Sequence, residues 1–172
     1  YYGSATIDAT LVLFMILAGT NFGLYFRLIH GDWRAILRDP EWRFYAGILL
    51  LATAAVTGDL LWNRVYDDAG RALQYASFQV VSVMTTTGYG TADFDIWPPL
   101  SKLGLLFLMF VGGCAGSTGG GMKVVRVLVL GKYASIGLEQ ACRPMIVRTL
   151  KLGRAPVETD TRDAIVVFFF LS

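Results

Sequence analysis

The stretch that decides the fold is Thr85-Thr86-Thr87-Gly88-Tyr89-Gly90-Thr91. It lies between two apolar segments, and each of its residues except Tyr89 is a threonine or a glycine. Glycine adopts positive φ angles at little cost, so these glycines allow the backbone to turn successive carbonyl groups the same way. The stretch can therefore line a narrow path with carbonyl and hydroxyl oxygens. On its own, a Gly-Tyr-Gly sequence is equally compatible with a β-turn between two strands.

Five consecutive residues of this stretch resemble a potassium-selective filter. The sequence Thr86-Thr87-Gly88-Tyr89-Gly90 differs at one position from T-V-G-Y-G, the loop whose carbonyl oxygens replace the hydration shell of K⁺. We therefore predict ion binding by Thr86, Thr87, Gly88, Tyr89 and Gly90, with K⁺ held at the first four. Thr87 stands where the filter sequence has valine, which leaves selectivity over sodium open.

The composition of the 172 residues is typical of a membrane protein. Apolar residues make up 55% of the chain, above the roughly 45–50% of soluble domains, and the mean hydropathy is +0.53. Cys114 and Cys142 have neither metal-binding nor disulfide spacing and are predicted to be free thiols. The chain does not begin with methionine, and its last apolar run, 165–171, is shorter than the roughly 20 residues of a membrane span. We therefore interpret the sequence as a piece of a longer membrane protein.

Three apolar segments are predicted to cross the membrane: 9–29, 44–66 and a third that begins near residue 100. Between the second and the third lies the amphipathic segment 71–84, which is too short to cross and runs directly into the filter stretch. We predict that it is a re-entrant pore helix, because irregular backbone at membrane depth survives where it lines a cavity. Such a helix would point the negative end of its dipole at a cation in the cavity.

The third span is interrupted by a glycine-rich stretch, 112–121. Six of its ten residues are glycine, and each costs a helix roughly 1 kcal/mol relative to alanine, so a continuous helix is not expected. We predict a flexible loop within the membrane that acts as a gate or a binding element. Its residues are Gly112, Gly113, Gly116, Ser117, Thr118, Gly119, Gly120 and Gly121. A phosphate-binding loop is disfavoured, because Met122 separates the last glycine from Lys123.

The distribution of positive charge predicts the sides of the membrane. The connections 27–43 and 123–163 hold four and eight of the chain's 15 lysine and arginine residues. By the positive-inside rule these connections are cytoplasmic, which places the filter stretch toward the outside and the glycine stretch below it. Lys123 and Arg126 are open. They either reach the cytoplasmic interface, which we favour, or are functional charges at membrane depth.

A short internal similarity indicates a repeat. Leu17-Ala18-Gly19-Thr20 and Cys114-Ala115-Gly116-Ser117-Thr118 each follow an apolar run on a span that is predicted to run inward. The first span is therefore interpreted as the last helix of a preceding span–pore–span repeat, although a match this short can also arise by chance.

Together, the filter stretch and the glycine stretch resemble those of the bacterial Trk/Ktr potassium uptake family, most closely its TrkH subunits. The resemblance implies an all-α integral membrane fold of potassium-channel-like repeats, each made of a span, a re-entrant pore helix, a filter loop and a second span that is broken here. Four linked repeats would surround one pore, each giving one filter strand. The implied organisation is 1–30 as the last helix of a preceding repeat, 31–43 as a cytoplasmic linker, 44–134 as the repeat with filter and gate loop, 135–163 as a basic cytoplasmic linker, and 164–172 as the start of the next repeat's first span.

The resemblance also implies a function and partners. The chain would belong to a potassium uptake transporter, a multi-pass protein of the bacterial inner membrane and not an enzyme. Gly88 would be the family's filter glycine, and 112–121 an intramembrane gate loop. K⁺ would be the transported ion, with no covalently bound cofactor. The expected partners are membrane lipid, a second copy in a homodimer, and a cytoplasmic ring of nucleotide-binding, TrkA-like subunits through which alone a nucleotide would act; nucleic acid is not expected. The basic segment 132–162 would face that ring or anionic lipid.

Two alternatives belong to other classes. A subunit of a tetrameric potassium channel would share the span–pore–span unit, but the broken third span and the additional spans argue against it. A membrane enzyme would need a pair of residues among His30, Asp59, Asp67 and Asp68, and no such pair has a recognisable metal or acid–base spacing. Coupling to protons or sodium is left open by the sequence.

Overall fold

The computed structural model describes residues 4–142, 151–152 and 155–156. The regular secondary structure of these residues is helical apart from one pair of two-residue strands, so the predicted all-α architecture is confirmed. The helices are α1 (Ala5–Ala18), α2 (Phe22–Ile29), α3 (Arg34–Arg38), α4 (Pro40–Trp62), α5 (Ala69–Met84), α6 (Pro99–Phe110) and α7 (Val124–Cys142), with a 3₁₀ turn at Phe94–Ile96. Strand β1 (Lys151–Leu152) pairs antiparallel with β2 (Ala155–Pro156).

Helix α4 is the span that the sequence predicted at 44–66, with an earlier start. Within the described residues it is the one helix that is long and apolar enough to cross a membrane by itself. It begins earlier because Pro40 suits the first helical position and the Asp39 carboxylate accepts a hydrogen bond from the Trp42 N–H at 2.8 Å. Its outward side is apolar: Leu50 is 72% exposed, as suits a surface that faces lipid.

The first span, predicted as one helix over 9–29, is instead two helices. Helices α1 and α2 meet at an angle of 95°. The chain leaves α1 at Gly19, and Asn21 caps α2 by accepting a hydrogen bond from the Gly23 N–H at 2.7 Å. The local cause of this correction is that glycine and asparagine favour helix ends over helix interiors. The apolar pattern alone predicted a continuous span because the break interrupts the apolar run over only a few residues.

The third span is broken where the sequence predicted. Helix α6 ends at Phe110, α7 begins at Val124, and the glycine stretch between them is irregular. Helix α7 continues to Cys142, so the first residues of the basic linker predicted at 135–163 are helical. Apart from β1 and β2, the rest of that linker and the predicted next span, 164–172, lie outside the described residues.

The pore helix predicted at 71–84 is α5, and it forms the centre of the packing. It contacts α1, α4 and α6, and its side chains Ala72 and Val80 are completely buried. It begins where Asp68 caps it by accepting two backbone N–H bonds at 3.2 Å. Because α5 is buried among the other helices, the irregular chain that follows it starts from a fixed position.

Helix α6 runs antiparallel to α4. Toward the end of α4, Asp59 accepts hydrogen bonds from the N–H and the hydroxyl of Ser101, at 3.0 and 2.5 Å. At the beginning of α4, Glu41 accepts one from the N–H of Ala115, beyond the end of α6, at 2.6 Å. Helices α4, α5 and α6 therefore form one span–pore–span unit.

Candidate functional site: the filter loop and the glycine loop

The filter loop, residues 86–90, leaves the C-terminal end of α5 and is exposed. The N–H groups of Thr87 and Gly88 both donate to the carbonyl of Ser82, at 2.9 and 3.4 Å, so they point back at the last turn of α5. The described peptide bonds are trans, and in a trans peptide the carbonyl points opposite to the N–H. The carbonyls of Thr86 and Thr87 therefore point away from α5, toward the open side of the loop.

Two residues of the loop have positive φ angles. The value is +57° at Thr86 and +78° at Gly88. Glycine takes this conformation at little cost, whereas threonine is strained in it and needs support. The Thr86 hydroxyl donates to the carbonyl of Thr85 at 2.7 Å and accepts a hydrogen bond from the Gly120 N–H, also at 2.7 Å. The strained residue is thus held in part by the glycine loop.

Tyr89 is oriented differently from its neighbours in the loop. Its carbonyl accepts a hydrogen bond from the Ser82 hydroxyl at 2.6 Å, so it turns back toward α5. Ser82 is completely buried, and it binds the loop twice, through its carbonyl to Thr87 and through its hydroxyl to Tyr89. One lone pair of the Tyr89 carbonyl remains for another partner.

The glycine loop, residues 112–121, is closed at its neck by a parallel β-bridge between Val111 and Met122. There the Gly112 N–H donates to the carbonyl of Met122 at 2.9 Å. A Cβ on Gly112 would overlap the carbonyl oxygen of Gly120, so glycine is required where the two limbs of the loop touch. The loop is therefore a compact segment with its own hydrogen bonds.

The glycine loop packs into the break between α1 and α2. The Cys114 N–H donates to the carbonyl of Gly19 at 2.9 Å, and the N–H and hydroxyl of Thr118 donate to the carbonyl of Ala18 at 3.2 and 3.1 Å. In return, the first N–H of α2 donates to a loop carbonyl at 3.2 Å. The two similar segments found in the sequence thus belong to two broken helices whose breaks pair with each other.

The glycine loop also contacts the base of the filter loop. Besides the hydrogen bond from Gly120 to Thr86, a Cβ on Gly119 would lie 3.4 Å from the carbonyl oxygen of Thr85. A Cβ on Gly120 would lie 3.3 Å from the Thr86 hydroxyl. The two motifs that the sequence singled out are therefore in direct contact, and small residues are needed at that contact.

Glu41, in the first turn of α4, binds both the glycine loop and the first turn of α7. Its side chain is 7% exposed. One carboxylate oxygen, Oε1, accepts hydrogen bonds from the N–H of Ala115 at 2.6 Å and of Val125 at 3.2 Å. Val125 lies in the first turn of α7, where backbone N–H groups lack helical partners and a carboxylate is favourable.

Lys123 binds the glycine loop from within. Its ammonium group donates to the carbonyl of Gly119 and lies 3.5 Å from that of Ser117. The Lys123 side chain thus turns back onto the glycine loop, and the favoured interpretation that it reaches the cytoplasmic interface stays a prediction. Arg126 follows in the first turn of α7, where its N–H donates to the carbonyl of Lys123 at 2.8 Å.

Three of the four residues considered for an enzyme, His30, Asp59 and Asp68, have structural contacts. Asp59 binds the start of α6, Asp68 caps α5, and the His30 ring nitrogen Nδ1 lies 2.8 Å from the carbonyl of Phe26. Across the described part of the chain, no three His, Cys, Asp or Glu residues form a group that could hold a metal ion. The filter loop and the glycine loop contribute backbone groups and small residues, and Glu41 and Lys123 add the charged groups that contact the glycine loop.

Sequence reasoning missed three residues of this site. Glu41 follows a proline at a helix start, where an acidic residue is ordinary, and Ser82 is one polar residue on an amphipathic helix. Neither position carries a signal of its own. Gly19 had one, because it lies in the segment that resembles the start of the glycine loop.

The sequence and the structure of this chain are both similar to those of known proteins. A family profile described as "TrkH: Cation transport protein" matches residues 1–172. The chain is 38% identical over 170 residues to the Trk system potassium uptake protein TrkH of Salmonella typhimurium, covering 98% of this chain and 35% of that protein. The corresponding protein of Escherichia coli K12 is 37% identical over the same coverage. The crystal structure of the potassium transporter TrkH from Vibrio parahaemolyticus superimposes with a TM-score of 0.94 at 35% identity, over 99% of this chain and 37% of that one. The chain thus spans about a third of the length of these relatives.

Proposed function

The chain belongs to the TrkH family of cation transport proteins, and from this membership we propose that it forms the filter and gate section of a potassium uptake pore. As a family member it is a multi-pass protein of the inner membrane and not an enzyme. The relatives named for potassium uptake support potassium as the ion. A tetrameric channel subunit is not favoured, because the chain matches single polypeptides about three times its length.

The observation that carries the proposal is the hydrogen bond from the Gly120 N–H to the Thr86 hydroxyl. It joins the glycine loop to the first residue of the filter loop. An ion that leaves the filter toward this side meets backbone of the glycine loop and not open water. The same loop must therefore move, or change shape, before ions pass.

In the filter loop, uncharged oxygens would bind K⁺. The carbonyls of Thr86 and Thr87 point away from α5, and Gly88 continues the loop with a positive φ that a side chain would oppose. Uncharged oxygens suit an ion that must bind and leave again. Tyr89 contributes less, because its carbonyl already accepts a hydrogen bond from Ser82. The C-terminal end of α5 adds the negative end of its dipole.

In the glycine loop, residues 112–121 would form the gate. The loop is anchored at its neck, at the break between α1 and α2, and at Thr86. The neck is held by backbone hydrogen bonds, the break by backbone hydrogen bonds and the Thr118 hydroxyl, and Thr86 by one hydrogen bond to its hydroxyl. Each is worth about 1 kcal/mol net. Such a loop is stable when closed, yet a regulatory partner could displace it at modest cost.

The filter assignment is tested by Gly88→Ser in the complete chain. Gly31→Ser is a matched control, because φ is +89° at Gly31 and a Cβ at either glycine would meet no described atom within 4 Å. Uptake of K⁺, Rb⁺ and Na⁺ is compared in cells that lack other potassium uptake systems. We expect Gly88→Ser to reduce the preference for K⁺ over Na⁺ roughly tenfold or more, while Gly31→Ser keeps it. Unchanged selectivity in Gly88→Ser would contradict the filter assignment.

The gate assignment is tested by Gly112→Ala. The added methyl group would overlap the Gly120 carbonyl and drive the limbs of the loop apart. Gly104→Ala, on α6, is the control, because its Cβ would meet no described atom within 4 Å. We expect Gly112→Ala to raise the maximal Rb⁺ uptake rate per molecule in proteoliposomes without any regulatory subunit. An unchanged or lower rate per molecule would count against a gate at this position.

The partners of the whole protein are part of the same proposal. We infer a homodimer in the lipid membrane, regulated by a cytoplasmic ring of nucleotide-binding subunits. Native mass measurement of the full-length chain separates this from a tetrameric channel, since two copies fit the proposal and four contradict it. Purification of the full-length chain with and without the regulatory subunit tests whether the two form a complex.

A further inference from the structure

Glu41 joins the glycine loop to the first turn of α7. Its carboxylate oxygen Oε1 accepts hydrogen bonds from the N–H of Ala115 in the loop and from the N–H of Val125 in α7. Backbone hydrogen bonds from Val124 to Gly113 and from Gly112 to Met122 already hold the neck of the loop. Glu41 adds a side-chain contact at Ala115, farther into the loop than these two.

The attachment point is rigid. Glu41 lies next to Pro40 at the first position of α4, and Asp39 caps the same turn. Four residues later, Tyr45 is completely buried beside Gly19, in the break that receives the loop. The carboxylate is thus presented from a fixed helix end, and the hydrogen bonds can be lost chiefly by movement of the loop.

We propose that Glu41 is the positioning residue of the gate loop, which its carboxylate keeps closed by binding the N–H groups of Ala115 and Val125. The inference rests on the proposed gate function of residues 112–121. Opening of the loop then requires the Ala115 N–H to leave the carboxylate. Helix α3 ends directly before Asp39, the residue that caps α4. A partner that binds α3 would therefore act next to Glu41.

Cys114 offers a probe of loop position that does not depend on ion flux. It is completely buried, and its backbone N–H is bound to Gly19 in the closed loop. Its neighbour Ala115 carries one of the hydrogen bonds to Glu41. Release of Ala115 should therefore expose the Cys114 thiol.

The experiment uses the full-length chain with Cys142→Ser, reconstituted in proteoliposomes. A membrane-permeant maleimide is applied, and modification of Cys114 is followed by peptide mass spectrometry, alongside Rb⁺ uptake at several K⁺ concentrations. The variants are Glu41→Ala and Glu41→Gln. Asp32→Asn is the control, because it removes an exposed carboxylate from the linker before α4.

We expect Glu41→Ala to accelerate Cys114 modification roughly tenfold or more, as loss of two hydrogen bonds to a charged group predicts. The maximal uptake rate should rise while the apparent KM and the K⁺/Na⁺ preference stay unchanged, which a general folding defect would not produce. Glu41→Gln, which keeps an acceptor oxygen without the charge, should give a rise of roughly threefold. Asp32→Asn should match the parent chain.

The outcomes distinguish the positioning role of Glu41 from the gate function of residues 112–121. Faster Cys114 modification without faster uptake would support the positioning role of Glu41 and contradict the gate. Unchanged modification in Glu41→Ala would overturn the positioning role. If Glu41→Ala does not fold, Glu41→Gln decides, and modification at the parent rate in that variant overturns the inference.

Discussion

The two ends of α4 carry carboxylates that perform the same chemistry on different parts of the broken span. Asp59 accepts two hydrogen bonds from Ser101 in the first turn of α6. Glu41 accepts one from Val125 in the first turn of α7. Each half of the broken span thus has its N-terminus capped by a carboxylate from the neighbouring intact helix, where the helix dipole favours negative charge.

The difference is what else each carboxylate binds. Asp59 binds the backbone and hydroxyl of Ser101 through Oδ2 and the side chain of Asn63, at the end of its own helix, through Oδ1, so it fixes a helix start. Glu41 divides one oxygen between a helix start and Ala115 in the glycine loop. The Asp59 end of α4, which we call the anchor, therefore fixes one helix start, whereas the Glu41 end connects a helix start to the glycine loop. Substitution of Asp59 should mainly lower stability, and substitution of Glu41 should mainly change ion flux.

The largest expected effect on stability is at the anchor. Asp59→Ala leaves the Ser101 N–H and hydroxyl without their acceptor and should lower the free energy of unfolding by about 2 kcal/mol. Thermal unfolding of the purified full-length chain measures this, with the exposed Asp67→Ala as control. Uptake per folded molecule should stay at the parent value. A higher uptake per folded molecule would show that this end of α4 also controls the gate and would remove the distinction.

A smaller effect, on flux, is expected at Lys123. Lys123→Met removes the ammonium group that binds the Gly119 carbonyl, and keeps the length of the side chain. Uptake in proteoliposomes without regulatory subunits should rise about fivefold, the change expected for one charge-assisted hydrogen bond. Lys102→Met is a matched control, because Lys102 also donates to a backbone carbonyl, that of Asp95, at 2.5 Å. Equal effects of the two substitutions would argue against a specific role of Lys123 in the loop.

The smallest effect is expected at the break between α1 and α2. Thr118→Val keeps the shape of the side chain and the backbone hydrogen bond but removes the hydroxyl contact to Ala18. Loss of about 0.5–1 kcal/mol should raise uptake two- to fivefold, with unfolding temperature nearly unchanged. Thr10→Val is the control, because its hydroxyl donates to a carbonyl within exposed α1. A change of selectivity in Thr118→Val would indicate that this contact belongs to the filter and not to the gate.

Much of the fold followed from the sequence because its signals are local. The filter stretch, the pore helix before it and the glycine break each have a composition that dictates backbone conformation. The break between α1 and α2 was missed, since Gly19 and Asn21 interrupt an apolar run too briefly to change its hydropathy. The start of α4 was placed late for a related reason, because capping by Asp39 outweighs the polarity of the residues that follow.

The site, like the fold, was predictable only where its residues form local sequence motifs. The filter and gate residues carry recognisable motifs, but their contact, through Gly120 and Thr86, joins distant parts of the chain. Glu41 and Lys123 bind backbone groups, and backbone partners leave no complementary residue type in the sequence to pair with. The roles of Glu41 and Lys123 can therefore be recognised only from the folded structure.

The pairing of the two helix breaks has a consequence for water. The carbonyls of Ala18 and Gly19 now receive their hydrogen bonds from the glycine loop. If the loop moves as the proposed gate, these oxygens lose their donors, and an unpaired buried carbonyl is costly. Under that proposal water has to take the place of the loop, so opening would hydrate the carbonyls of Ala18 and Gly19 in the same step.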